Sequence, residues 1–472
     1  MRVLFVLKQI DYEPIGIMHL STALKAAGHE VRLAVVSEED PVAVAKEWQP
    51  GILAYSVWTG GQRYYYEINN LIRAEVNAFS AFGGSHATFF PEMVGEPGVD
   101  GVCVGEGELA LVDLANTLES GSFTPDIPNW WFKVDGEIVR NPVRPYAPDL
   151  DDLGQPDRAL VYDKDGVVRN SKIKHFISGR GCPYNCAYCY NHALFEIYRG
   201  KGRRVRQRSV GHLLEEIEDV RRRYPLEFVV FLDDTFILFK DWVAEFAAEY
   251  PRRIGLPFFC NVRANLITED IAQQLKSAGC VSVGMGVETG NDELRELILK
   301  RNMTREQIIG ACRTLRQAGL NVLTTNMVGL PHSSIDDDFA TIALNAECEA
   351  AFANAFIFQP YPRTELGEMV RREGLMEGSL DDISLSAWDT TVLNFPADYK
   401  RQVENLQKLF AITVEYPWLT PTVRQLIKGP RNPFYWFVHK LWKGYTIKKR
   451  IHPVHLTLGE TVDIVRRYMR LD

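Results

Sequence analysis

An α/β fold is predicted: a doubly wound N-terminal sheet, then a partial (β/α)6 barrel, then a mainly helical C-terminal region. Three observations predict it. Short apolar runs alternate with helix-like stretches from residue 1 to about 115, the same alternation resumes at Ile173 and lasts to about 375, and a polar, turn-rich stretch separates the two. At 472 residues the chain exceeds one ordinary domain. Its 46% apolar and 24% charged residues fit a globular protein in water.

In the first part, strands are expected at Val3–Leu7, Val31–Val36, Ile52–Val57, Ala81–Gly84 and Gly101–Gly105. Helices are expected at Met18–Ala27 and Val42–Trp48. The opening MRVLFVL reads as the first strand, because no small-residue cleavage site follows it. Ligands of such sheets lie at the carboxyl ends of the strands, where the glycines gather: Gly16, Gly60-Gly61, Gly83-Gly84 and Gly105. This domain is expected over 1–125. A connector over 126–170 follows, with a hairpin, Trp130–Val139, pivoting on Asp135-Gly136. Asp149–Leu153 and Gln155-Pro156-Asp157 mark the boundary.

The barrel is expected over 171–375. Its strands are read at Lys174–Ser178, Phe228–Leu232, Phe258–Val262, Ser282–Val287, Asn321–Val328 and Ala355–Gln359. Helices are read at Val210–Arg223, Thr268–Ala278, Asp292–Leu299, Thr304–Ala318 and Ser334–Ala350. Six such units are too few to close an eight-stranded barrel, and sites of this architecture lie at the carboxyl ends of the strands. In the C-terminal region, 376–472, no Asp or Glu occurs between Glu415 and Glu460. That window holds Arg424, Lys428, Arg431, Lys440, Lys443, Lys448, Lys449 and Arg450, interleaved with Phe434–Phe437 and Trp442. The whole chain nevertheless carries a net charge of −8, which argues against a broad nucleic-acid surface. No run of 18 apolar residues is present to span a membrane.

Five of the eight cysteines, 103, 260, 280, 312 and 348, stand singly in apolar surroundings and read as buried small hydrophobes. The other three follow the first barrel strand in Ser178-Gly-Arg-Gly-Cys182-Pro-Tyr-Asn-Cys186-Ala-Tyr-Cys189-Tyr. Three thiolates on one short loop can share a [4Fe–4S] cube and leave one iron without a protein ligand. Structural zinc would ask for a fourth ligand, and only His192 is near in sequence.

Cys-x3-Cys-x2-Cys, in the phrase RGCPYNCAYCY, resembles the signature of the radical S-adenosylmethionine (SAM) superfamily. The resemblance implies that Cys182, Cys186 and Cys189 hold a [4Fe–4S] cluster, with Tyr188 against SAM on the open iron. Reductive cleavage of SAM would then release a 5′-deoxyadenosyl radical. Later strand ends extend the resemblance. Asp233 and Asp234 in FLDDTF match the segment that binds the methionine amino group, unless one caps the next helix instead. Arg263 suits a carboxylate, with a surface ion pair as its alternative. Glu288 in GMGVETG matches the ribose-binding residue, and Gly329 in MVGLP the adenine-contacting segment. The pattern departs in two places: His332 follows Pro331 where a glycine is usual nearby, and Arg363 replaces the glycine of a Pro-Gly-Thr motif.

A doubly wound domain ahead of such a barrel resembles the cobalamin-binding branch of the superfamily. The phrases Gly83-Gly-Ser-His-Ala-Thr-Phe-Phe-Pro91 and Val104-Gly-Glu-Gly-Glu108 belong to that likeness. It implies cobalamin contacts at Asp11, Glu13, Gly16, Ser56, Gly83, Gly84, His86, Gly105 and Glu106. Where the branch often has Asp-x-His-x-x-Gly, this chain reads Asp11-Tyr-Glu13-Pro-Ile-Gly16, so that turn offers cobalt no imidazole.

The expected activity is therefore a cobalamin-dependent radical C-methylation of an unactivated carbon. The alternatives are a radical cyclisation, rearrangement or oxidation without methyl transfer, and a non-catalytic iron–sulfur protein. An external one-electron donor of flavodoxin or ferredoxin type is implied, because no second cysteine cluster is present. The small-molecule substrate is expected to be a lipid, isoprenoid or tetrapyrrole. The oxygen-sensitive cluster implies a cytoplasmic setting, and the basic aromatic stretch implies peripheral membrane contact or a lid over the substrate.

Overall fold

A computed structural model describes residues 1–378, 383, 388–455, 457, 459 and 460. The remaining positions of the expected C-terminal region, 379–382, 384–387, 456, 458 and 461–472, lie outside the described residues. The chain forms two compact units. The first comprises 1–171, 194–208 and 219–225, and the second comprises 172–193, 209–218 and 226–472.

The first unit is built on strands β1 (Arg2–Leu7), β2 (Glu30–Val35), β3 (Ile52–Ser56), β4 (Phe79–Gly83), β5 (Gly101–Cys103), β6 (Trp130–Val134) and β7 (Glu137–Arg140). They form one sheet in the order β2-β1-β3-β4-β5-β6-β7. The first five are parallel and the last two antiparallel. Alternate side chains of β1 feed two cores. Val3, Phe5 and Leu7 pack with Met18 and Leu24 of α1 (Ile15–Ala26), whereas Leu4 and Val6 share the opposite core with Ala45 of α2 (Pro41–Trp48) and Tyr65 of α3 (Gln62–Arg73). Full burial on both faces explains why these strands read as unbroken apolar runs. The predicted hairpin is present and adds the two outer strands. Its turn residues Asp135 and Gly136 have φ of 50° and 84°, the left-handed pair that a tight hairpin requires. Strand order reverses around β1, so the crevice beyond the ends of β1 and β3 is the topological switch point where such sheets bind ligands.

The second unit carries six parallel strands: β8 (Ile173–Phe176), β9 (Phe228–Phe231), β10 (Phe258–Val262), β11 (Cys280–Glu288), β12 (Asn321–Val328) and β13 (Phe352–Ile357). Each pairs with its neighbours in sequence, which is the order of a partial barrel. The helices that alternate with them along the chain are α4 (Val210–Arg223, of which 210–218 belong to this unit), α5 (Lys240–Arg253), α6 (Glu269–Ser277), α7 (Arg305–Gln317) and α8 (Ile335–Glu347). Helix α5 was not expected. Its core stripe Val243, Phe246 and Tyr250 is short, and Pro251 falls in its last turn. The helix expected at Asp292–Leu299 is instead a single wide turn, Leu294–Ile298, closed by Leu299 N–H donating to Leu294 O. There the buried Arg295 guanidinium donates to the carbonyls of Thr289 and Met303, which draws the backbone around it.

The C-terminal region is helical where described. Helix α9 (Ala397–Glu415) packs Val403, Leu406 and Phe410 against the outer face of β13 at Ala353, Ala355 and Ile357. Helix α10 (Pro433–Thr446) leads into a wide turn, Ile447–Ile451, that meets the amino-terminal ends of the strands. Ser282 Oγ donates to Ile451 O (2.6 Å), Asn321 Nδ2 to Arg450 O (2.7 Å) and Lys172 Nζ to His455 O (2.9 Å). Ile451 and Val454 pack there with Phe228, Val230 and Phe259. The segment therefore stops the barrel at the end opposite its carboxyl-terminal mouth. Among the described residues no helix is long and apolar enough to cross a membrane.

Candidate active site

In the second unit the cysteine loop leaves β8 and is fixed at once. Ser178 donates its backbone N–H to both Asp233 oxygens (3.1 Å each) and its hydroxyl to Oδ1 (2.6 Å), all buried. Burial pushes the Asp233 carboxyl up to about 6, against the pull of the Ser178 donors. Asp233 thus ties the ends of β8 and β9 together. The next helix begins at Lys240 with no side-chain cap, so neither Asp233 nor Asp234 caps it. Asp234 is exposed, and its charge helps raise the thiols of both Cys182 and Cys189.

The loop is clamped from both sides: Ala187 N–H donates to Leu299 O (3.0 Å) and Leu366 N–H to Ala187 O (2.8 Å). Within it Cys189 N–H donates to Cys186 O (3.1 Å). Cys186 is buried, and Cys182 and Cys189 are half-buried. Burial raises the thiol of Cys182 and pushes that of Cys189 up to about 11. Metal binding must therefore displace protons from these thiols. Among the described residues no three His, Cys, Asp or Glu side chains converge on a single ion.

Arg263 is buried rather than paired at the surface. Its Nη1 donates to Cys186 Sγ (3.7 Å), Nη2 to Arg301 O, and the guanidinium lies 3.7 Å from the Tyr184 ring centre. Glu288, at the end of β11 where the register slips, has a φ of 67°, a conformation that L-residues hold only under local strain. Its Oε1 accepts from Tyr188 OH (3.2 Å) and Arg301 Nη1 (3.1 Å). Arg301 also donates to Tyr188 OH and to Gly286 O (2.7 Å). Burial raises both the Glu288 carboxyl and the Tyr188 hydroxyl, and Arg301 opposes both shifts. Sequence reasoning missed Arg301, which belongs to no periodic element and follows the unexpected wide turn.

Gly329, φ 67°, donates its N–H to Asp338 Oδ1 (3.1 Å), and a Cβ there would meet Val403 at 3.0 Å. The two departures from the family pattern keep the backbone that glycine would give: His332 has φ 62° and Arg363 has φ 65°. The structure therefore brings the cysteines, Tyr188, Arg263, Arg301 and Glu288 together, with Asp233, Asp234 and Gly329 on neighbouring strand ends.

In the first unit the predicted residues occupy the strand ends, but several are turned to the protein. Asp11 is exposed and accepts from Gln9 (2.9 Å). Glu13 is buried and accepts from Tyr162 OH (3.1 Å), which in turn accepts from Arg158 (3.3 Å). Gly16 has open space beside it in the first turn of α1. Gly83 ends β4. Gly84, φ 91°, lies so close to β3 that a Cβ would stand 2.7 Å from Val57 N and 3.0 Å from Ser56 Oγ. His86 is buried, contacts Thr59 (3.3 Å) and stacks on Phe90. Gly105, φ 85°, leaves room for Tyr198, whose hydroxyl accepts from Glu106 N–H (2.8 Å). The Glu106 carboxylate is taken by both ends of the Arg206 guanidinium (2.6 and 3.1 Å). Gly84 and Gly105 thus stand hard against β3 and Tyr198, and the β1 turn carries no imidazole.

Comparison with known proteins places two families on these two units. Residues 176–343 match the radical SAM superfamily, and residues 2–115 match the B12 binding domain. An uncharacterized methyltransferase of Pyrococcus horikoshii is 28% identical over 376 residues, 77% of this chain and 79% of that protein. The anaerobic magnesium-protoporphyrin IX monomethyl ester cyclase of Cereibacter sphaeroides is 26% identical over 76% of this chain and 61% of its own length. Among solved structures, the radical SAM methyltransferase TsrM from Kitasatospora setae, with cobalamin and a [4Fe–4S] cluster bound, superposes with a TM-score of 0.66. It is 20% identical and is covered over 80% of this chain and 79% of that one.

Proposed function

Because the chain belongs to the radical SAM superfamily and carries a B12 binding domain ahead of the barrel, we propose that it is a cobalamin-dependent radical methyltransferase acting on an unactivated carbon. Its cofactors are a [4Fe–4S] cluster, SAM and cobalamin. Bound together, they supply one-electron cleavage of SAM to a carbon radical and a carrier for a methyl group.

The residues divide the work of holding these groups. Cys182, Cys186 and Cys189 are the cluster ligands, and Arg263 donates to the sulfur of Cys186. Asp233 is held by Ser178, so Asp234, which accepts from Asn191 beside two of the thiols, is the acceptor for the methionine amino group. Arg301 and Arg263 offer guanidinium donors for the methionine carboxylate. Glu288, held by Arg301 and Tyr188, accepts from the ribose hydroxyls, and the backbone at Gly329 meets the adenine. In the first unit the glycine-lined strand ends carry the corrin, while Glu13, His86 and Glu106 shape the walls through their internal bonds. The electron comes from an external flavodoxin- or ferredoxin-type donor. A lipid, isoprenoid or tetrapyrrole is the substrate class.

The observation that carries this reading is a three-thiol loop beside the Glu288–Arg301 pair in a chain that also has a B12 binding domain. The relative named a methyltransferase supports methyl transfer. A second reading, radical cyclisation without methyl transfer, is favoured by the cyclase that matches 76% of the chain. Product analysis separates them. Methylation releases S-adenosylhomocysteine together with 5′-deoxyadenosine, whereas cyclisation releases no homocysteine product. Turnover with deuteromethyl-SAM that leaves the label out of the organic product contradicts the methyltransferase reading.

A further inference from the structure

Helix α10 presents its apolar side chains to solvent. Phe434, Phe437, Leu441 and Tyr445 are 51–63% exposed, and at 3.6 residues per turn they fall within about 80° of arc, along about 17 Å of helix. The opposite side is the packed one, with His439 and Thr446 buried and Trp442 against the barrel stop. The exposed stripe continues sideways through aromatic contacts. Tyr445 meets Trp442 (5.8 Å), Trp442 meets Tyr416 (5.8 Å), and Tyr416 meets Trp418 (6.4 Å), which is 73% exposed.

The cations of this region fall into separate groups. Arg424, Arg431 and Arg450 are neutralised by Asp336, Glu404 and Glu415 and hold the fold together. Lys440 and Lys443 lie over the rings of Trp436 and Trp388. Lys428, Lys448 and Lys449 are exposed and have no carboxylate partner among the described residues. Lys448 and Lys449 follow Tyr445 in the wide turn that ends α10.

We infer that the exposed face of α10, with Trp418, docks on an anionic lipid surface. An apolar helix face edged by free lysines and by Trp and Tyr side chains is the form of a helix that lies in a bilayer interface. Phe434, Phe437 and Leu441 enter the acyl boundary, Trp418 and Tyr445 sit at headgroup level, and Lys428, Lys448 and Lys449 meet lipid phosphates. A second copy of this chain fits the face poorly, because no acid lies between Glu415 and Glu460, so a twofold contact would set lysines against lysines.

The test is anaerobic flotation of the full-length holoenzyme with phosphatidylglycerol-containing vesicles and with pure phosphatidylcholine vesicles. Lys448→Gln with Lys449→Gln, and Phe437→Ser with Leu441→Ser, are run beside the wild type. Unchanged melting and cluster absorbance verify that the variants are folded. The wild type is expected to float with the anionic vesicles and far less with the neutral ones. At about fivefold per lysine, the lysine pair weakens binding by roughly 25-fold, and the apolar pair abolishes it. Wild-type protein that stays behind with anionic vesicles, or floats equally with both variants, overturns the inference. So does a vesicle-free dimer that Leu441→Ser dissociates.

Discussion

Replacing Asp338 by Asn isolates one buried proton next to the site. Asp338 lies in α8, where its carboxylate accepts from Gly329 N–H and from Tyr399 OH, each at 3.1 Å. Burial pushes this carboxyl from its ordinary 3.8 up to about 7, against both donors. The unfolded chain gives up the proton near pH 4, and the folded chain keeps it to about pH 7. The stability contributed by this group is therefore present at low pH and falls as pH rises through that window. At about 1.36 kcal/mol per pH unit, the full loss is about 4 kcal/mol, of which roughly 2.7 kcal/mol falls between pH 5 and 8.5. Asn keeps both partners: Oδ1 accepts from Gly329, and Nδ2 donates to Tyr399. The Tyr399 hydroxyl then turns to Ser333 (2.8 Å), which donates to Leu330 O (2.7 Å). Urea unfolding of wild type and Asp338→Asn across this pH range cancels the titrations they share. The variant is expected to gain about 2–3 kcal/mol on the wild type from pH 5 to 8.5. Parallel profiles would refute the reasoning, since they would mean that Asp338 titrates alike in both states.

Arg301→Met leaves the Glu288 carboxyl buried without its cation, a loss of about 3–5 kcal/mol for such pairs; equilibrium dialysis should show weakened SAM binding, and unchanged affinity would count against the assigned pocket. Ala at Cys182, Cys186 or Cys189 should each strip most iron and the cluster absorbance, whereas Ser at the buried Cys348 should leave iron content intact. Arg363→Gly relieves a left-handed residue and should stabilise the chain by about 1 kcal/mol in thermal melts, because Gly tolerates φ 65°. Gly105→Ala would drive a Cβ to 2.1 Å from the Tyr198 hydroxyl and should destabilise the first unit by more than about 1 kcal/mol, with loss of cobalamin retention in gel filtration.

Both sheets were legible because strands buried on both faces leave unbroken apolar runs, and the cysteine loop because its ligands are neighbours in sequence. What escaped depends on partners distant along the chain. The sequence offers Asp233 and Asp234 alike for the methionine amino group, and only the fold shows that Asp233 accepts from Ser178, fifty-five residues earlier. Glu13 stands in sequence where the family often has its histidine, and only the fold shows that it accepts from Tyr162, far along the chain. Arg301 gave no periodic signal because it lies between a wide turn and a helix, and only the fold sets it against Glu288. The basic aromatic segment was visible as composition. That Ser282 and Asn321 hold its end against the barrel, leaving one face of α10 outward, rests on pairings more than a hundred residues apart.

Electron paramagnetic resonance of the anaerobically reconstituted, reduced protein, with and without SAM, tests the assignment of the cysteine loop most directly. A cubane cluster with one iron open to SAM predicts a reduced-cluster signal that changes shape when SAM is added and vanishes in Cys186→Ala. A signal indifferent to SAM, or iron-free protein that instead retains zinc, would contradict it.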